Sequence, residues 1–346
     1  MQHLGLIAGF AGFGVVSWIA GIWLTRTTDA IDAKFKLGSA FGGLLILGIT
    51  TSLPEIAVAV SAAFQHHYDI IIGTLIGGVA MQTVVLCLLD ARMKQRDESL
   101  SYAAASLTLV LEAAVVVLVT AACIVAVHTP VMVPHTSVSL ASLLIFGLWL
   151  AGLWLIYKSR HGLPWKSEAI GAHPGREHHE RRQIVNHPGL RAAPMSKVWA
   201  VLAVAAVATL ISGVGLQVTG NGLANAFHIN GGLFAATFIA FAGALPNIST
   251  GFSSIAIGDY KLAMSDIFGG NAIMPALFIF CDIVAGHSVL AHANLTDIWF
   301  AALGILLTGI YIISLIVRPR RTRLRMGVDS IAVLLLYAAG VIVLTV

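Results

Sequence analysis

Only three of the sixteen acidic side chains, Glu55, Glu112 and Asp266, fall deep inside long apolar runs. A charge at mid-membrane costs about 2.5–3.5 kcal/mol on insertion scales, so it persists where it meets a partner, a cavity or an ion. Glu55 directly follows Pro54, and Thr50, Thr51 and Ser52 stand just before it. Proline has no N–H, so Pro54 removes the helical donor to the carbonyl of Thr50. A carboxylate, a displaced carbonyl and three hydroxyls make an oxygen-rich niche with one negative charge, which suits a hard cation. Glu55 is thus the residue expected to ligate a metal ion. A second break falls at Pro246, which removes the donor to the carbonyl of Ala242, with Ser249 and Thr250 beside it. One such break is a proline kink; two at corresponding places point to a cation site.

The other deep acids offer less. Asp266, Gly270 and Met274 are spaced i, i+4, i+8 and share one helix face. The corresponding face earlier in the chain carries Thr74, Gly78 and Gln82. If both faces line the centre, Thr74, Gln82 and Asp266 join the pocket. Asp266 lies near the cytoplasmic start of its helix, at a depth that sets it apart from Glu55. It is read either as an entry or gating charge or as an anchor. Glu112, within an unbroken apolar helix, is either a structural carboxyl or an accessory proton site. Asp90 and Asp282 fall at span ends, where headgroups are the expected partners.

The elements that position these residues follow from composition. Hydrophobic residues make up 58% of the chain and charged residues 10%, against about 25% charged in a soluble domain. Mean hydropathy is +0.90. A water-soluble enzyme is excluded, and the sequence shows no signature of a membrane protease, so no enzyme activity or cofactor is expected. The pI of 9.1 reports membrane topology rather than nucleic-acid binding. Cys87, Cys123 and Cys281 all lie in apolar runs and read as packing residues.

Ten apolar stretches are long enough to span a bilayer: 4–24, 37–64, 68–90, 101–127, 137–157, 197–217, 230–257, 260–283, 296–317 and 327–346. The twenty Lys and Arg all fall in alternate loops. The positive-inside rule then puts those loops in the cytoplasm and both termini outside, in a multi-pass protein of the cytoplasmic membrane. Residues 158–196 form a basic, His-rich cytoplasmic linker between two five-helix units, 1–157 and 197–346. Units with an odd number of spans must be inverted relative to each other if they are related. They are related: Leu53, Pro54, Ile56, Ser61, Tyr68, Gly77, Gly78 and Ala80 recur at an offset of 192 as Leu245, Pro246, Ile248, Ser253, Tyr260, Gly269, Gly270 and Ala272. The fold class is therefore an all-α polytopic membrane protein of two inverted five-helix repeats, with helices 2 and 7 broken at proline.

Thr51-Ser52-Leu53-Pro54-Glu55 and Gly269-Gly270-Asn271 resemble the repeat motifs of the cation/calcium exchanger superfamily, which includes the sodium/calcium exchangers. The resemblance implies cation antiport. Carried over position by position, it implies ion ligands at Thr51, Ser52, Glu55, Gln82 and Asn247, with Asn271, Ser249, Thr250, Asp266 and Glu112 as accessory candidates. Departures are visible in the second repeat. The family's second Glu falls on Asn247, a later acidic or amide position falls on Met274, and the Ser of Gly-Ser-Asn falls on Gly78 and Gly270. A divalent ion in a low-dielectric site is best balanced by about two carboxylates.

The expected function is a secondary antiporter exchanging Na+ or H+ against another cation, with K+ or Ca2+ also open and Ca2+ disfavoured by the single carboxylate. The alternatives are a passive cation channel and a transport-inactive cation sensor. The partners are inorganic cations and the lipid bilayer, with no nucleic acid; the oligomeric state is left open.

Overall fold

The computed structural model describes residues 2–35, 48–93, 98–160, 190, 193–256, 258–319, 322–323 and 326–345. Helices α1 (Gln2–Phe35), α2 (Leu53–Phe64), α3 (Tyr68–Ala91), α4 (Leu107–Ala126) and α5 (Leu140–Arg160) form the first half. In the second half come α6 (Met195–Ala226), α7 (Gly231–Gly243, continued as Leu245–Ala256), α8 (Tyr260–Ala285), α9 (Leu295–Val317) and α10 (Val328–Thr345). Among the described residues seven helices are long and apolar enough to cross a membrane, and α7 makes an eighth if its two parts are one span. The described parts of α2 and α10 are shorter apolar helices. Residues 36–47, the start of the expected second span, and most of the expected linker lie outside the described residues.

Both proline breaks have local causes. Pro54 stands in the first turn of α2, where a missing N–H costs no helical bond. Ser52 caps that turn with its backbone but makes no side-chain cap, which leaves its hydroxyl available. In α7 the axis bends by 44° just before Pro246. Two interruptions are invisible in the spacing. Turns with five-residue hydrogen bonding occupy Gly73–Gly77 of α3 and Ala235–Ile239 of α7, and the two helices meet there, with Gly73 against Gly232 and Gly77 against Ala236. Such turns occur mostly as single bulges in helices, often at functional sites. The eighth helix is also interrupted, at Leu277, two residues after Pro275.

The halves interlock by corresponding contacts. Gly21 of α1 lies against Pro246, where a methyl would come within 2.5 Å of the proline ring. Gly213 of α6, offset by 192, lies against Ala57 and the carbonyl of Pro54, where a methyl would come within 2.5 and 2.6 Å. Each half's first helix thus covers the broken helix of the other half.

Asp90 and Asp282, also 192 apart, do not meet headgroups. Both are buried. Asp90 accepts hydrogen bonds from the N–H groups of Leu100 at 2.7 Å and Gly327 at 2.6 Å. Asp282 accepts from the N–H groups of Val289 at 2.8 Å and Ser139 at 3.0 Å. Each carboxylate fixes two chain segments that start neighbouring helices, and it does so because those N–H groups have no helical partner. His67 contacts Gln217 at 3.0 Å and Asn221 at 3.2 Å, tying the α2–α3 turn to α6.

Candidate cation site

The two breaks and the middles of α3 and α8 bring the polar candidates together. Glu55 is fully buried at the start of α2. Its Oε1 accepts a hydrogen bond from Gln82 Nε2 at 3.0 Å. A carboxylate only accepts, so the amide nitrogen must face it, and this turns Gln82 Oε1 away. Gly243 makes room for the carboxylate, since a methyl there would stand 3.1 Å from Glu55 Oε1. Gly270 stands at the middle of the group. A methyl built on it would lie 3.2 Å from Gln82 Oε1, 3.6 Å from Asn247 Nδ2 and 3.7 Å from Ser52 Oγ.

Several of these atoms are buried without a hydrogen-bond partner: Glu55 Oε2, Gln82 Oε1, Ser52 Oγ and both ends of the Asn247 amide. Leaving a buried polar group unpaired costs about 1–3 kcal/mol. Five such atoms from the start of α2 and from α3 and α7, beside Gly270 of α8, are an unfilled demand for a ligand. Four of the five are oxygens and one belongs to a carboxylate, so the chemistry is that of a hard cation shell. Among the described residues no three His, Cys, Asp or Glu gather in a way that could hold a metal ion.

Asp266 departs from expectation. Its helix start does not set it apart in depth, because the chain breaks before Pro54 and Pro246 place hydroxyls beside it. Thr51 Oγ1 donates to Asp266 Oδ1 at 3.4 Å, and Thr250 Oγ1 donates to Oδ2 at 2.5 Å. Asp266 therefore bridges the two broken helices, one residue from Ser52. Thr51 and Thr250 serve the acid rather than the open ring.

The remaining candidates lie elsewhere. Asn271 donates across the halves to Thr83 Oγ1 at 3.2 Å and to the carbonyl of Val79 at 3.4 Å. The carbonyl of Ser249 accepts from Ser253 Oγ at 2.9 Å. Glu112 is buried on α4, which packs chiefly on α5, α8 and α9. The Ala242 carbonyl lost its helical donor to proline but receives the Ala244 N–H, shared with Ala240. Thr50 is half-buried and already engaged in an interaction. Thr74 is buried in the bulged turn of α3. Sequence reasoning missed Gly243, whose missing side chain admits Glu55; its only signal was that it replaces Thr51 in the second repeat.

The comparisons agree with this architecture. The family model described as sodium/calcium exchanger protein matches residues 5–158 and 197–346, one stretch per half. Inner membrane protein YrbG of Escherichia coli (strain K12) is 24% identical over 229 residues, which is 66% of this chain and 64% of that protein. A structure of the sodium-calcium exchanger NCX_Mj soaked with Na+ and Sr2+ superposes with a TM-score of 0.61 at 16% identity, covering 97% of this chain and 98% of the other. The structure of native YfkE gives 0.60 at 13% identity, covering 96% and 90%. At these identities the likeness to the solved structures is one of fold. With the family model matching both halves, this multi-pass membrane protein belongs to the sodium/calcium exchanger protein family.

Proposed function

We propose that the chain is a secondary cation antiporter that exchanges Na+ or H+ against another cation by alternating access of its two halves. The reading rests on one observation above all: unpartnered polar atoms of Gln82, Ser52 and Asn247 surround Gly270 at the junction of the halves, and Gln82 joins them to the Glu55 carboxylate, whose Oε2 is also unpartnered. Glu55 binds the cation or a proton, and occupation by one excludes the other, which couples their gradients. The ring holds one carboxylate. Both oxygens of Asp266 are engaged with threonine hydroxyls, so its charge acts on the ring from beside it. That balance fits a monovalent ion better than Ca2+. Both termini lie outside the cytoplasmic membrane, and residues 158–196 link the two repeats on the cytoplasmic side.

Proteoliposomes carrying an imposed Na+ or pH gradient test the reading. Counter-ion-dependent cation flux that disappears in Glu55→Gln supports it; flux unchanged in that variant removes Glu55 from the site. Flux that follows one ion's gradient without a counter-ion identifies a channel. A transport-inactive sensor is the second reading, and Met274 favours it. The Met274 sulfur occupies the space beside Gly78, 3.1 Å from where a methyl on that glycine would stand, and supplies no charge.

A further inference from the structure

A second cluster of oxygens sits away from the central ring, where α3, α7 and α9 begin. We infer that it is a binding site for a hard divalent cation, formed by Asp69, Asp297 and Asn230. Gly232 carries no side chain, and a methyl there would stand 3.2 Å from Asn230 Oδ1, 3.2 Å from Asp297 Oδ1 and 3.6 Å from the carbonyl oxygen of Asp69. Three chain segments thus point oxygens into one niche, and the Asp69 carboxylate lies against neighbouring Gly231.

Asp297 is the telling residue. Its Oδ2 accepts the Asn294 N–H at 2.9 Å and completes the capping box of α9. A cap needs only that oxygen. The other, Oδ1, is buried without a hydrogen-bond partner and is the atom that faces the niche. The side chain is 1% exposed.

The charge has no protein counterpart in sequence. By sequence, Lys and Arg fall in or at the edges of the alternate loops expected at the opposite ends of these helices, so none is expected here to neutralise the two carboxylates. Two carboxylates and the amide oxygen of Asn230, which also accepts the Leu233 N–H at 3.1 Å, form a partly open shell that water completes, with the Asp69 carbonyl, bonded by the Gly73 N–H, at its edge; Asn230 is exposed and Asp69 half-buried. That donor set matches Ca2+ or a similar ion.

The test uses full-length protein in phosphatidylcholine nanodiscs with Glu55→Gln, which silences the central ring, and measures equilibrium binding of radioactive Ca2+. About one Ca2+ per chain is expected to remain. Asp297→Asn keeps an oxygen for the Asn294 N–H and removes the charge; it is expected to weaken this binding about tenfold or more, and Asp69→Asn likewise. Gly232→Ala fills the niche and gives the same loss with every ligand intact. Absence of stoichiometric Ca2+ binding in Glu55→Gln overturns the proposal. So does binding that survives both Asp→Asn changes.

Discussion

In the first repeat the residue after the helix-breaking proline is Glu55, and in the second it is Asn247. One helix further on the relation reverses: Thr74 in the first repeat, Asp266 in the second. The frame around them is conserved between halves, with Gly21 on Pro246, Gly213 on Pro54, and Asp90 and Asp282 making matching backbone bonds. Each half therefore keeps one acid of the pair and has exchanged its position. The centre of the molecule still holds two carboxylates, but only one faces the open ring. Symmetry of the scaffold does not impose symmetry of the polar groups it holds.

Four experiments break or sharpen this contrast. The largest effect is expected from Glu55→Gln, which removes the ring's only charge: coupled flux should fall about 100-fold or more, as expected for loss of roughly 3 kcal/mol at a buried charge. Flux within a factor of two of wild type would place the ion elsewhere. Asn247→Glu restores the missing match and gives the ring two carboxylates. In an Asp297→Asn background, which removes the second Ca2+ site, Ca2+ should then raise the melting temperature of the Asn247→Glu variant and leave its parent unmoved, by about 2.7 kcal/mol of stabilisation at a hundredfold excess over Kd. A response of the parent as large as the variant's would sink the charge argument.

The third concerns the frame. Gly21→Ala and Gly213→Ala each force a methyl into a filled contact and should cost about 1–3 kcal/mol, to similar extents. Thermal unfolding in detergent measures it, and a cost confined to one half would deny that the contacts correspond. The smallest effect belongs to Asp90→Asn and Asp282→Asn. Each keeps one acceptor of two, so each should lose about 1 kcal/mol, read as matched drops in melting temperature.

Much of the frame was legible in the amino-acid order because it is local or periodic. Proline breaks, the repeat offset and the alternation of Lys and Arg need no knowledge of packing. Glu55 and Ser52 were singled out for that reason and Gln82 by its matching helix face, whereas Asn247 was named only through the family resemblance. Asp266 was placed at the wrong depth because its partners, Thr51 and Thr250, stand at two separate helix breaks and meet it only in the packed fold. Sequence spacing assumes straight helices, and the 44° bend of α7 breaks that assumption. Asp90 and Asp282 were assigned to headgroups because their partners are backbone N–H groups, which no side-chain pattern records. The bulged turns at Gly73–Gly77 and Ala235–Ile239 were hidden for a similar reason: they follow from glycine-mediated contact between α3 and α7 rather than from either helix alone.

The cross-packing of α1 on α7 and of α6 on α2 bears on how the chain is made. While the first five helices emerge from the ribosome, the break at Pro54 has no cover, because its lid is α6. Ser61 and Gln217, which bond across that contact, are 156 positions apart. The polar opening in α2 must wait in the membrane or in the insertion machinery until the second half arrives. Neither half is a finished unit, and a gene split within the linker should yield stable protein only when both pieces are made in the same cell.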